Sequence, residues 1–242
     1  MMSKKNGKNG NGKKIKPPTQ RRSYARVKIE HIQHVKLRKS QQQYSRNIEK
    51  HDVTFCHGPA GTSKTYTACY TALKLLAEKK IRKIILCKPI QESGEKLGFL
   101  PGGIEEKIDP FMQSFISNLR KIVGEEITQR LLDGGIIVFK PLAYMRGDTF
   151  DDSLMILDEA QNATFKQLML FITRMGKTSK VLITGDISQY DIPKKSTGLP
   201  GFIKLMDGID GVKNFIFTEE DIVRAEILKK IVIRYEKYKP LN

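Results

Sequence analysis

The stretch from Gly58 to Thr65 constrains the chain more than any other. It reads Gly-Pro-Ala-Gly-Thr-Ser-Lys-Thr, the order of glycine, lysine and threonine that defines a phosphate-binding P-loop. Such a loop points backbone N–H groups at a polyphosphate, while the lysine reaches the β- and γ-phosphates and the hydroxyl ligates Mg²⁺. Ser63 stands where the pattern has glycine, and we expect it to adopt a positive φ with mild strain. The predicted nucleotide-binding residues are therefore Gly58, Pro59, Ala60, Gly61, Thr62, Ser63, Lys64 and Thr65.

The segments around the loop have the order that its chemistry requires. A short β-rich run, Asp52–His57, precedes it, and Thr65–Lys80 has the composition and apolar period of a helix. Bound phosphates would then lie at a helix N-terminus, where the backbone N–H groups are free. A second buried strand at Lys83–Cys87 completes a β-loop-α-β unit, which predicts a parallel sheet.

The rest of the chain alternates between strand and helix patterns. The further strands are predicted at Gly135–Lys140, from Leu154 to Asp158, at Lys180–Thr184 and at Asn214–Thr218. Helices are predicted at Ser40–Ile48 with Ser40 as N-cap, Ile104–Val123 with a break near Asp109–Pro110, Glu125–Leu132, Phe165–Met175 and Asp221–Lys237. Loops are predicted at Pro89–Gly103 and Lys194–Gly201. The prediction is a three-layer α/β fold in which helices flank a mostly parallel sheet. Together with the P-loop, this arrangement resembles the RecA-like core of P-loop NTPases.

Two acidic residues end one of the buried strands. The run Leu-Met-Ile-Leu leads into Asp158 and Glu159. Opposite a P-loop, the first carboxylate would hold Mg²⁺ and the second would polarise the attacking water. The plainer alternative is that both acids open the next helix, where negative charge is favourable.

Gln189 follows the end of the Lys180–Thr184 strand. A polar side chain in the crevice at the carboxyl edge of a parallel sheet can contact the γ-phosphate. We predict that sensor role for it, with an ordinary turn glutamine as the alternative.

The net charge of +17 is concentrated at the N-terminus. Ten Lys or Arg and no acid lie before Glu30, which leaves +7 for the rest of the chain. Residues 1–26 are predicted to be a disordered basic arm and residues 27–242 a single domain. Two roles are open for the arm: it binds nucleic-acid phosphates, or it only improves solubility.

Three cysteines in apolar segments, Cys56, Cys69 and Cys87, indicate buried thiols rather than a disulfide framework. No apolar run approaches the ~20 residues of a membrane span, and no signal-peptide pattern is visible. We therefore expect a cytoplasmic protein.

The chain resembles the PhoH-like P-loop ATPases, which are related to superfamily 1 helicases. The resemblance covers about four-fifths of the chain, from Gln41 to Tyr235. The blocks that carry it are Gly58-Pro-Ala-Gly-Thr, Gly94-Glu-Lys-Leu-Gly-Phe-Leu-Pro-Gly102, Ala143-Tyr-Met-Arg-Gly147, Leu157-Asp-Glu-Ala-Gln-Asn162, Thr173-Arg-Met-Gly176, Gly185-Asp186 with Gln189 and Asp191, and Asp221-Ile-Val-Arg224.

The resemblance implies binding and hydrolysis of ATP with Mg²⁺, coupled to RNA or single-stranded DNA, and a homo-oligomer, plausibly a ring. Thr65 and Asp158 would be the metal ligands. Gln41 resembles the glutamine that reads adenine, and Tyr44 could stack on the base; the alternative is a solvated glutamine run. Candidate arginine fingers are Arg146, Arg174 and Arg224, each of which could instead form an ordinary surface ion pair.

Some positions depart from the family pattern. Lys88 replaces an arginine and loses its bidentate fork. Asp148 also replaces an arginine, and with Asp151 and Asp152 it could suggest a metal-dependent nuclease site. A solvated loop is the simpler interpretation.

Two other functions are compatible with these motifs. One is a nucleotide-gated nucleic-acid-binding module with little turnover, which a loop distorted at Ser63 would favour. The other is a small-molecule kinase, which would need neither the basic arm nor the Asp-Glu-Ala-Gln run. A chain of this length has room for one P-loop core, so the second half of a helicase-like site would come from another subunit.

Overall fold

Six parallel strands form one sheet through the middle of the protein. The computed structural model describes residues 27–89, 104–187 and 196–237, together with Gln189 and Ile192. The strands are β1 (Val53–His57), β2 (Lys83–Cys87), β3 (Ile137–Phe139), β4 (Ser153–Leu157), β5 (Lys180–Gly185) and β6 (Val212–Ile216). Their order in the sheet is β3-β2-β4-β5-β1-β6, so the predicted parallel sheet is confirmed.

Helices cover both faces of this sheet. They are α1 (Lys39–Lys50), α2 (Lys64–Ala77), α3 (Ile104–Val123), α4 (Glu125–Asp133), α5 (Phe165–Ile172), α6 (Leu199–Met206) and α7 (Glu226–Lys237). One buried hydrophobic cluster packs helices α1, α2, α3 and α4 against one face of the sheet. A second cluster packs α5 and α6 against the other face. Successive strand residues alternate between them, as Ile84 and Ile85 do. Both faces are apolar because both are covered, which confirms the three-layer α/β fold.

The order of the strands places three loops side by side. The chain passes from β1 to β2 through α2, skipping β4 and β5. The loops that follow β1, β4 and β5 therefore meet at the carboxyl edge of the sheet. In open α/β sheets, such a reversal of strand order is where ligands bind.

Several predicted boundaries are wrong, and each has a physical reason. α1 begins at Lys39 with Arg38 as its N-cap, not Ser40, because the Gln41 side chain accepts the Arg38 N–H at 2.9 Å. α3 runs unbroken from Ile104, since apolar residues beyond the predicted break, among them Phe115 and Leu119, are buried in the core.

Two further differences lie near the C-terminus. α6 occupies part of the segment predicted as a loop, because Leu199 and Phe202 bury one short face and proline is tolerated in a first turn. α7 begins at Glu226 rather than Asp221, since the Val223 N–H bonds to the Gly61 carbonyl instead of continuing a helix. The N-terminal arm and most of the predicted Pro89–Gly103 loop lie outside the described residues.

All three cysteines are buried and unpaired, as predicted. Burial raises the pKa of each thiol, so none is poised as a nucleophile. Among the helices that the structure describes, none combines the length and the apolar character needed to cross a membrane.

Candidate nucleotide-binding site

The loop after β1 closes tightly around the first turn of α2. Ser63 has φ 64° and ψ 33°, the left-handed conformation that its place in the motif predicts. The Thr62 hydroxyl donates to the Pro59 carbonyl at 3.0 Å, which cross-links the turn. A helix therefore begins directly at the loop lysine, with its free N–H groups facing the loop.

The segment from Phe217 to Arg224, here named the strap, holds the loop from outside. The Phe217 N–H bonds to the His57 carbonyl at 2.9 Å, and the Val223 N–H bonds to the Gly61 carbonyl at 2.8 Å. A Cβ atom on Gly58, whose φ is +146°, would lie 2.3 Å from the Phe217 carbonyl oxygen. Only glycine fits beneath the strap at that position.

Lys64 curls back over its own loop. Its Nζ donates to the Gly58 carbonyl at 2.6 Å and to the Pro59 carbonyl at 2.9 Å. Both partners are neutral carbonyls, whereas a phosphate carries negative charge that attracts the ammonium group directly. A phosphate placed in the loop would therefore compete well for this ammonium group.

Asp158 lies buried at the end of β4 and joins three elements. Its Oδ2 accepts from the Thr65 hydroxyl at 2.9 Å, and its Oδ1 accepts from the Thr184 hydroxyl at 2.9 Å. Lys88 Nζ lies 3.8 Å from Oδ2. A carboxylate and a hydroxyl side by side are hard oxygen donors of the kind Mg²⁺ uses alongside water and substrate phosphates. The two predicted metal ligands therefore fit Mg²⁺.

Glu159 follows in a left-handed conformation, with φ 56°. Its Oε2 accepts from the Gln161 amide nitrogen at 2.7 Å, and the same amide's oxygen accepts the Asp186 N–H at 2.9 Å. The Glu159 side chain is exposed. A left-handed conformation at a residue other than glycine costs about 1–3 kcal/mol. Strain of this kind, held in place by a buried partner, is typical of functional positions.

These groups surround a cleft of about 440 Å³ at the carboxyl edge of the sheet. Most of the predicted site residues line it: Ala60, Gly61, Thr62, Ser63, Lys64, Thr65, Asp158, Glu159, Gln189 and Arg224. Gly58 and Pro59 do not line the cleft, and their carbonyls accept hydrogen bonds from Lys64.

Gln41 and Tyr44 both lie on α1 and are both buried. The adenine-reading role of Gln41 stays a prediction. Gln41 is 6% exposed, caps α1 and is not among the residues that line the cleft. Tyr44 is fully buried and packs against Phe215 and Phe217, with ring centroids 5.6 and 5.4 Å away. The suggestion that Tyr44 stacks on a base is wrong, because its ring belongs to the core.

The three candidate arginines occupy different places. Arg224 lies in the cleft, and its side chain approaches Gly61 closely. Arg174 donates to the Asp148 carbonyl at 3.1 Å, beside the residues that precede β4 and thus toward the amino edge of the sheet. Arg146 is exposed, and neither it nor Arg174 lines the cleft.

Sequence reasoning missed several residues of the cleft. They are Tyr66, Asn118, Lys121, Gln161, Asp186 and Val223. Gln161 belongs to the Asp-Glu-Ala-Gln run and could have been noticed there. Asn118 and Lys121 lie on α3, which packs against α2, and nothing in their local sequence marks them.

The three carboxylates before β4 do not converge. Asp148 pairs with Lys140, Asp151 accepts the Lys177 N–H, and Asp152 pairs with Arg82. Within the described residues, no group of three or more His, Cys, Asp or Glu is arranged to hold a metal. The geometry favours the solvated loop over the nuclease site.

The sequence model of the family described as "PhoH-like protein" matches residues 34–236. The chain belongs to the PhoH-like family. It is 45% identical over 198 residues to the PhoH-like protein of Bacillus subtilis. The aligned region covers 81% of this chain and 62% of that relative. It is 35% identical over 199 residues to the protein PhoH of Escherichia coli, covering 81% of this chain and 56% of that protein.

This PhoH-like chain therefore spans about three-fifths of the length of the curated relatives it matches. Among solved structures, it is similar to the large terminase ATPase domain of Thermus phage P74-26, with a TM-score of 0.51 and 11% identity. The match covers 88% of this chain and 92% of that domain. At that identity the similarity shows a shared fold alone.

Proposed function

We propose that this PhoH-like chain binds and hydrolyses ATP in the cleft, with Mg²⁺ as cofactor. The observation that carries the proposal is the hydrogen bond of 2.9 Å between the Thr65 hydroxyl and Asp158. It brings the P-loop hydroxyl and the acid of a neighbouring strand to one point beneath the loop, where a metal-bound triphosphate would need both.

Each residue then has a defined part. The backbone N–H groups of the loop and Lys64 hold the triphosphate, while Thr65 and Asp158 hold Mg²⁺. Bound Mg²⁺ would neutralise charge on the β- and γ-phosphates. Glu159 orients the attacking water and accepts its proton, and Gln189 contacts the γ-phosphate. Arg224 supplies positive charge from within the same subunit.

Two substitutions test the chemistry. Lys64→Ala should abolish ATP binding or turnover, because no other loop side chain replaces its charge. Glu159→Gln should retain binding and lose at least about 100-fold in turnover, since the base is removed while the shape is kept. ATP binding is measured by calorimetry and hydrolysis by phosphate release. Normal hydrolysis by Glu159→Gln would refute the assignment of the base.

We also propose that hydrolysis is coupled to RNA or single-stranded DNA in a homo-oligomer, plausibly a ring, in the cytoplasm. The strongly basic N-terminal sequence supports the coupling to nucleic acid. The test is the ATPase rate with and without RNA and DNA, alongside the oligomeric mass. A monomer at micromolar concentration with full activity would contradict the oligomer, and a rate indifferent to both nucleic acids would contradict the coupling.

A further inference from the structure

Helix α1 divides its side chains between two faces. Gln41, Tyr44, Ser45 and Ile48 point inward and are buried. The outer face carries five polar residues at positions i, i+4, i+7, i+8 and i+11, which fall on one side of a helix. They line a shallow groove of about 330 Å³ and are here named the α1 stripe: Lys39, Gln43, Arg46, Asn47 and Lys50.

The cations of the α1 stripe have no carboxylate partner in the part of the chain that the structure describes. All three are exposed, and Arg46 Nε donates to the Gln42 carbonyl of its own helix at 3.3 Å. Glu49, the acid of α1, is turned away toward α2, where Lys74 pairs with it at 2.7 Å. The helix therefore presents uncompensated positive charge along about 16 Å of its length.

The chain that precedes α1 cannot neutralise this surface. Residues 1–26 contain nine Lys or Arg and no acid, and Glu30, the acid between residues 27 and 38, pairs with Lys28 at 3.1 Å. Like charges repel, so the N-terminal sequence supplies no anion that could neutralise the stripe. An anionic partner would suit both the stripe and this basic sequence.

We propose that the α1 stripe binds the sugar–phosphate backbone of a single strand of RNA or DNA. The three cations contact phosphates, and the exposed Gln43 amide hydrogen-bonds to phosphate oxygens or sugars. Contacts to phosphates and sugars carry no information about the bases, so we expect binding to be independent of sequence. The absence of apolar side chains on the stripe disfavours a membrane, which amphipathic helices enter through an apolar face.

This inference rests on the proposed coupling to nucleic acid and gives it a location. α1 packs against α2, whose first turn carries Lys64 and Thr65. A strand on the stripe would thus lie one helix away from the nucleotide, without occupying the cleft.

The test compares two triple variants that remove the same charge. The first changes the cations of the stripe: Lys39→Gln, Arg46→Gln and Lys50→Gln. The control changes three exposed lysines on α5, on α6 and in the turn before β5: Lys166→Gln, Lys204→Gln and Lys177→Gln. Binding of the full chain to labelled 20-nucleotide RNA and DNA is measured by anisotropy at several salt concentrations.

The stripe variant should bind about tenfold to a hundredfold more weakly at 0.1 M salt and lower the salt slope of log K by about 2. The control should stay within about threefold of the parent. Equal losses in both variants, or none in the stripe variant, would overturn the proposal. ATPase activity without nucleic acid and the melting temperature are recorded for each variant. Absent activity in the parent would count against the proposed function, whereas a selective binding defect would still support the stripe.

Discussion

Gln161 joins the ends of β4 and β5 through both ends of its amide. It donates to Glu159 and accepts from the Asp186 N–H. A Cβ atom on Gly185 would lie 2.6 Å from its Oε1, so the space beside the amide suits glycine. We infer that Gln161 is a positioning residue, which holds the carboxylate of Glu159 toward the cleft.

Gln161→Ala should lower kcat about 10- to 100-fold while changing KM for ATP less than threefold, because the loop and metal ligands are untouched. The matched change Gln161→Glu keeps the size of the side chain but places a second carboxylate against Glu159. It should lower kcat at least as much, and the acid limb of the pH–rate profile should move to higher pH. Steady-state kinetics between pH 5 and 9 provide the measurement. A kcat within twofold of the parent in both variants would show that Glu159 needs no such support.

Ser63 decides between an ATPase and a binding module with little turnover. It already has the left-handed backbone that the motif needs, and α2 begins at the next residue. Ser63→Gly relieves strain without changing this shape, so we predict a change in kcat of less than threefold. A rise of tenfold or more would indicate that serine misplaces the γ-phosphate, and would favour the binding module. Single-turnover hydrolysis with saturating enzyme measures the step directly.

At the scale of elements, the strap and the P-loop form one unit. Gly58→Ala forces a methyl group against the Phe217 carbonyl at a φ of +146°. We expect it to lower the free energy of unfolding by at least about 2 kcal/mol. Gly201→Ala is the control, because no atom lies within 4 Å of its added Cβ and it sits in α6. It should be neutral or stabilise by about 0.5–1 kcal/mol. Urea unfolding measures the free energy of unfolding of both variants. Equal midpoints would mean that the strap moves away from the added methyl group at little cost.

At the scale of the whole molecule, the question is which arginine completes the site. Arg224 lies in the cleft of its own subunit, whereas Arg174 lies toward the opposite edge of the sheet. If Arg174 acts, it acts on the cleft of a neighbouring subunit. Lys64→Ala and Arg174→Ala should each be inactive alone and should regain activity when mixed, since one subunit retains the cleft and the other the arginine.

A mixture of Lys64→Ala with Glu159→Gln is the control for this experiment. Both changes damage the same cleft, so no subunit is complete and activity should not return. Phosphate release is measured after the variants have exchanged subunits, together with oligomeric mass and melting temperature. Full activity of Arg174→Ala alone, with an unchanged mass, would rule out that residue as the trans-acting arginine.

The sequence by itself determined the strands, the loop and the acid that faces it. Strand, glycine-rich turn and helix follow one another along the chain, so period and composition locate them. Parallel strands bring their carboxyl ends to one edge, which explains why Thr65 and Asp158, 93 residues apart, meet at 2.9 Å. A positive φ at Ser63 was predictable for the same reason, because the motif is local.

Only the tertiary structure decided what lies beside that motif. Tyr44 lies in the core because α1 packs onto the sheet. The short helix α6 forms because packing buries Leu199 and Phe202 on one of its faces. Asn118 and Lys121 reached the cleft through the packing of α3 on α2. Distances between elements depend on how helices pack, and no local pattern records that packing. The chain thus encodes its phosphate loop locally, while the walls of the cleft and the arginine that reaches it depend on the assembled fold.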